Sequence, residues 1–274
     1  MSKIISLIIA FILSANTYTV VYTQESREEI KQTTIVTEDI VQKTPKENIS
    51  PIKAISRNTV KTTAGSSWWN YPSDIKGVTR NGDDLLVLVN KEYQLPSTYA
   101  PTDLVSICTN IPNLRCVNNT NFLIRNILIS ELQEMINAAI QDGIDLSIRS
   151  AYRSYPTQQS TYNYWLSVNG GNVAATDQVS ARAGHSQHQL GTAIDFSSVE
   201  INDGLGGTFA STQASKWLAD NAWKYGFVIS YPQGYESITG YSYESWHYRY
   251  IGREYAQDMI NSGMILELYL RSKN

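Results

Sequence analysis

The chain has 274 residues, 42% of them hydrophobic, enough to bury one sizeable core with a tail to spare. Its 22 Lys and Arg against 25 Asp and Glu give a formal charge of −3, so no basic excess recommends nucleic acid as a partner. Two cysteines are too few to close a structural zinc site by themselves.

Taken in chain order, Lys3 precedes an apolar run from Ile4 to Leu13 that exits through Ser14-Ala15-Asn16, the shape of a secretory signal. Moderately apolar residues continue to Tyr22, approaching the ~20 that span a bilayer. Residues 1–23 are therefore expected to be a signal peptide or an N-terminal anchor attached to the membrane through residues 4–22. Either way the protein is expected to be exported to the cell envelope, secreted or anchored. Residues 24–66 hold no aromatic residue and are rich in Thr, Lys, Glu, Gln, Ile and Val, with no sustained period. They read as a solvated, disordered linker.

The folded domain is expected over 67–274. Leu85 to Val89 reads as a buried strand, and Leu95 to Pro101 as irregular chain, because two prolines block regular pairing. Cys108 and Cys116 flank a short loop containing Pro and Asn, which in an exported protein predicts a disulfide. From Asn121 to Ile140, Leu123, Ile127, Leu128, Leu132, Ile136 and Ile140 follow helical spacing, with Gly143 beyond the end. Ile144 to Ile148 alternates as a strand.

Helices are predicted over 157–168, with Pro156 near the first turn, over 211–225, ended by Gly226, and from about Arg253 to Ile260. Strands are predicted at 193–196, 227–231 and 247–250. The mixture lacks a βαβ rhythm and a Gly-rich phosphate loop, which makes the fold class α+β.

The chain's three histidines fall in two short segments, His185 and His188 in the first and His247 in the second. His188, Asp195 and His247 supply two imidazoles and a carboxylate, the ligand set of a catalytic zinc that keeps one position open for water. Gly191 and Ala193 would let the chain curl so that His188 and Asp195 reach one ion. Glu244, three residues before His247, could handle the proton of that water. Trp246 would exclude solvent beside His247. His185 has Gly184 beside it and reads as a supporting or surface group, with a third imidazole ligand as the alternative.

The pattern Ser186-x-His188-x-x-Gly191-x-Ala193-x-Asp195, followed by Glu244-x-Trp246-His247, resembles the signature of the VanY-type D-alanyl-D-alanine carboxypeptidases, zinc peptidases related to VanX and LAS-type cell-wall enzymes. Ser150-Ala151-Tyr152-Arg153-Ser154-Tyr155-x-x-Gln158 is similar to that family's arginine segment. Leu88-Val89-Asn90-Lys91 with Leu95-Pro96, Tyr99 and Pro101 is similar to its domain entrance. One departure is Gln187, where many relatives carry Glu.

The resemblance implies a small central antiparallel sheet with flanking helices and Zn2+ in a cleft on the sheet. It implies a carboxypeptidase, expected as a monomer, that removes the C-terminal D-alanine from peptidoglycan stem peptides. His188, Asp195 and His247 would bind the metal, Glu244 would be the base acting on metal-bound water, and Arg153 would bind the oxyanion. Ser186 and Gln158 match positions that contact substrate. The alternatives are L,D-carboxypeptidase or endopeptidase activity on the same fold, or a non-catalytic wall-binding homologue.

Overall fold

A computed structural model describes residues 70–274; the expected leader or anchor at 1–23, the expected linker at 24–66 and the first residues of the expected domain lie outside them. The strands and helices are short and interspersed, as the α+β reading predicts. In chain order they are β1 (Lys76–Gly77), β2 (Tyr93–Gln94), β3 (Leu104–Ser106), α1 (Ile107–Asn110), β4 (Arg115–Cys116) and β5 (Leu123–Arg125). Then come α2 (Ile129–Gln141), β6 (Ser147–Ser150), α3 (Tyr155–Val168), α4 (Val173–Val179), β7 (Ala193–Ser197) and α5 (Gln213–Asn221). The chain finishes with β8 (Phe227–Ile229), α6 (Glu236–Thr239), β9 (His247–Tyr250), α7 (Arg253–Ser262) and α8 (Leu266–Lys273).

The central sheet has five strands in the order β4-β6-β7-β9-β8. Four of them pair antiparallel, as expected, but β4 joins β6 in parallel, so the sheet is mixed at one edge. Cys116, at the end of that edge strand, is joined to Cys108 by a disulfide.

Period-2 alternation sorts β7 and β9 onto two faces. Ile194 and Phe196 of β7, with Tyr248 and Tyr250 of β9, enter the main core. There they meet Leu132, Met135, Ile136 and Ala139 of α2 and Ala214, Trp217 and Leu218 of α5. Asp195, His247 and Arg249 therefore project from the other face. The strands predicted at 193–196 and 247–250 are β7 and β9, and their alternation decides which side of the sheet carries chemistry.

The expected strand at 85–89 is not one. Leu86, Val87, Leu88 and Val89 are buried, but they run as irregular chain. Side chains take up three carbonyls here: Arg249 Nη2 donates to those of Leu85 and Val87, and Asn274 Nδ2 to that of Leu86. Buried backbone must be paired, though not by another strand.

The expected helix at 121–140 starts late. Residues 123–125 instead pair with β3, and a 3₁₀ turn at 126–128 leads into α2. Ile127 and Ile140, counted as apolar stripe, are about half exposed. The strand expected at 144–148 begins only at Ser147.

The helix predicted at 157–168 is α3. It begins two residues earlier because the Ser154 hydroxyl accepts from Thr157 N and Pro156 sits in the first turn. The segment predicted helical over 211–225 is α5 followed by a 3₁₀ turn, ended by Gly226 at φ +86°.

Candidate metal centre

The site is built on two adjacent strands and one turn. Asp195 of β7 and His247 of β9 are direct cross-strand partners, so a residue separation of 52 collapses to a side-chain contact: His247 Nδ1 is 2.9 Å from Asp195 Oδ1. His188 arrives from the 3₁₀ turn Gln187–Leu190 that precedes β7. That turn is capped at its start by Ser186, whose hydroxyl accepts from His188 N, and at its end by Gly191 at φ +65°. One ligand-type atom from each of His188, Asp195 and His247 lies within 4.8 Å of the others, and all three residues are buried.

The protonation pattern is what a cation requires. His188 Nδ1–H donates to the Ala151 carbonyl at 2.6 Å, leaving Nε2 with a lone pair. That Nε2 stands 3.2 Å from Asp195 Oδ2 and has no hydrogen-bond partner. Two acceptors facing one another are not a hydrogen bond. Burial, reinforced by the Arg153 charge, lowers the His188 pKa to about 4, so the ring is neutral near pH 7. Asp195 is buried between the two imidazoles, and the Arg153 guanidinium, 3.9 Å from Oδ2, favours its ionised form. An ionised carboxylate beside an orphaned imidazole lone pair, both dry, fits a divalent metal and little else. The donor set of two nitrogens and one oxygen suits zinc.

Glu244 Oε2 is 3.7 Å from His247 Nδ1, beside the same point. Burial pushes its pKa well above the usual carboxylate value and the Asp195 charge adds to this, with Arg153 opposing. Arg153 approaches from the end of β6: its backbone N donates to the His188 carbonyl, and Nη2 is 3.9 Å from Asp195 Oδ2. Its Nε is buried and without a partner. Burial lowers the guanidinium pKa while Asp195 and Glu244 oppose that shift. Turn, strands and arginine segment thus bring His188, Asp195, His247, Glu244 and Arg153 together.

Ser186 and Gln158 are placed as framing groups. Ser186 caps the His188 turn, and Gln158 is buried with Nε2 donating to the Ala181 carbonyl at 2.6 Å, its Oε1 unpartnered. His185 is buried against Tyr71, its Nδ1 2.8 Å from the Asn90 carbonyl. Trp246 does not shield His247, because alternation turns it toward the main core.

Tyr231 takes that place, its ring centroid 5.0 Å from that of His247. Sequence reasoning missed it, along with Gln187 and Ser230, since all three act through contacts between distant segments. The adjacency of Gln187 to His188 and its departure from the Glu of many relatives were the hints of a role.

The family model described as VanY, D-alanyl-D-alanine carboxypeptidase, matches residues 121–253, which include every residue of this cluster. YodJ of Bacillus subtilis (strain 168) is 38% identical over 207 residues, 73% of each chain. The LdcB LD-carboxypeptidase is similar in structure with a TM-score of 0.64 at 35% identity, covering 76% of this chain and 96% of its own. A VanY D,D-pentapeptidase from a VanB-type vancomycin-resistance cassette, solved as a mutant in complex with Zn(II), gives a TM-score of 0.55 at 30% identity over 68% of this chain and 98% of its own.

Proposed function

The chain belongs to the VanY family of D-alanyl-D-alanine carboxypeptidases and is a hydrolase, and from that premise we propose a zinc-dependent enzyme that removes the C-terminal D-alanine of peptidoglycan stem peptides. One observation carries the zinc reading: the unpartnered His188 Nε2 lies 3.2 Å from an ionised, buried Asp195 carboxylate. His188, Asp195 and His247 would hold the ion. Bound there, zinc would supply a Lewis acid for the scissile carbonyl and lower the pKa of water toward 7.

The chain's own residues do the rest. Glu244, beside the His247 ring in a dry pocket, takes the proton of the attacking water and hands it to the departing amine. A raised pKa suits that exchange, since the carboxyl must both accept and release within one turnover. Arg153 offers a buried, unpartnered Nε–H to the oxygen that gains charge as the carbonyl is attacked. Tyr231 packs on the His247 ring and limits water there. Because the substrate lies outside the cytoplasmic membrane, this reading goes with export, which the apolar run at residues 4–13 supports.

A second reading is favoured by the likeness to the LdcB LD-carboxypeptidase: removal of D-alanine from a tetrapeptide stem, after an L-centre. Mass spectrometry of pentapeptide and tetrapeptide muropeptides incubated with the protein, with and without chelator, tests both. Chelator-sensitive loss of one alanine from the pentapeptide supports the D,D reading, and the same loss from the tetrapeptide supports the second. Loss from neither, or loss that persists with chelator, overturns the proposal.

A further inference from the structure

Resting on that reading of the metal centre, we propose that Gln187 is its positioning residue: it fixes His247 as the Nε2–H tautomer, turning Nδ1 toward Asp195 as a bare lone pair, and does so without adding charge. Gln187 Oε1 lies 3.2 Å from His247 Nε2 and 2.7 Å from Ser230 Oγ, and all three side chains are buried. An amide oxygen with two lone pairs can accept from both donors at once, the ring N–H and the serine hydroxyl. Ser230 is itself tied to the ligand strand, its backbone N donating to the His247 carbonyl at 3.2 Å.

The opposite tautomer has a different consequence. A proton on Nδ1 would fill the 2.9 Å gap to Asp195 Oδ1 with an ordinary hydrogen bond and consume the lone pair a metal needs. Gln187 therefore decides whether that gap is a hydrogen bond or half of a metal site. Its backbone lies next to His188, so one residue aligns both imidazoles: one through the turn, the other through its amide.

The charge argument explains why an amide serves. Asp195 and Glu244 already place two carboxyl groups around His247 Nδ1, at 2.9 and 3.7 Å. A third carboxyl on the far side of the ring would strengthen the grip on a cation but take away net positive charge at the site. The neutral amide orients the ring and leaves that charge for the substrate carbonyl.

The test reads the tautomer directly, on metal-free protein labelled with nitrogen-15, by long-range proton–nitrogen correlation of the imidazoles in neutral form. The wild type should show His247 protonated on Nε2. Gln187→Leu should populate both tautomers and bind zinc about 10- to 100-fold more weakly in chelator competition. Gln187→Glu should restore the Nε2–H pattern and bind zinc more tightly than the wild type. Ser230→Ala, a milder change should the leucine variant fail to fold, should shift the same resonances in the same direction with a few-fold loss of affinity. Protonation of Nδ1 in the wild type, or wild-type tautomer and affinity in both variants that remove a contact, would overturn the proposal. Failure of the wild type to take up zinc would instead sink the proposed function, and the metal-free spectra would still decide what Gln187 does.

Discussion

Asp195 and His247 face one another across the antiparallel β7–β9 pair, in register, with carboxylate oxygen and ring nitrogen 2.9 Å apart. Rigid strands on both sides hold this contact before any ligand arrives, so binding a metal requires little reorganisation. Asp195→Asn keeps shape and volume but removes the charge that compensates a cation. Dialysed variant protein should carry almost no zinc by elemental analysis. Zinc at about a thousand times its Kd should stabilise the wild type by about 4 kcal/mol in thermal unfolding and leave the variant unmoved. Full occupancy in the variant would remove Asp195 from the ligand set.

Glu244 lies 3.7 Å from His247, too far to bond yet near enough to reach a molecule bound at the same point. Glu244→Gln preserves size and hydrogen-bonding capacity but cannot exchange a proton. Turnover of the stem peptide should fall by about 10²- to 10⁴-fold while zinc content stays that of the wild type. Near-wild-type turnover would show that the proton travels another way.

Arg153 differs in kind, because its guanidinium carries fixed charge and a fork of donors. Lysine keeps the charge but loses the fork. Arg153→Lys should lower kcat by about 10²-fold with zinc affinity unchanged, the pattern of an interaction made chiefly in the transition state. A rise in KM at constant kcat would instead make Arg153 a ground-state anchor.

The cluster was legible in the sequence because its chemistry is concentrated. Three histidines in two segments, with Asp195 and Glu244 at short fixed spacings, leave few ways to assemble a site. The strands at 193–196 and 247–250 were readable as short, largely apolar segments, while their sorting into an apolar and a functional face comes from the fold. Residues 85–89 were misread because an apolar run reports burial and not what pairs its backbone, here Arg249 and Asn274 from far along the chain. The start of α2 was misread because Leu123 and Ile127 fit a helical period that pairing with β3 overrides. Ser230 and Tyr231 carry no mark of their own, and Gln187 only its place beside His188 and its departure from Glu, since their importance lies in what folding brings beside them.

Acid stability should depend on a cluster away from the site. Arg115 Nη1 and Nη2 each lie 2.7 Å from an Asp145 oxygen, and Nη2 is 2.6 Å from Asp203 Oδ1, which also accepts from Ser147. Arg115 is the first cause that lowers both carboxyl pKa values below 3.8. Groups with depressed pKa stabilise the fold above their unfolded value and lose that contribution as pH falls through the folded one. The window therefore lies below about pH 4. Side-chain exposures of 37%, 38% and 24% mean that solvent screens much of the effect, so about 1 kcal/mol is expected. Arg115→Met should lower Tm at neutral pH and flatten its fall between pH 5 and about pH 2. An acid limb as steep as that of the wild type would exclude this cluster.

The turn that presents His188 should be sensitive at Gly191. Its φ of +65° is costly for any residue with a side chain, and a Cβ there would lie 3.0 Å from Arg125 Cγ and from Leu104 Cδ2. Gly143 has the similar φ of +74° but nothing within 4 Å of the same atom, so it isolates backbone strain from crowding. Gly143→Ala should cost about 1 kcal/mol of stability and leave zinc affinity alone. Gly191→Ala should cost more, about 2–3 kcal/mol, and weaken zinc binding as well, because relieving the contact with Arg125 or Leu104 moves the turn that aims His188. Equal losses in the two variants, with zinc affinity unchanged in both, would mean that the turn yields without disturbing the ligand.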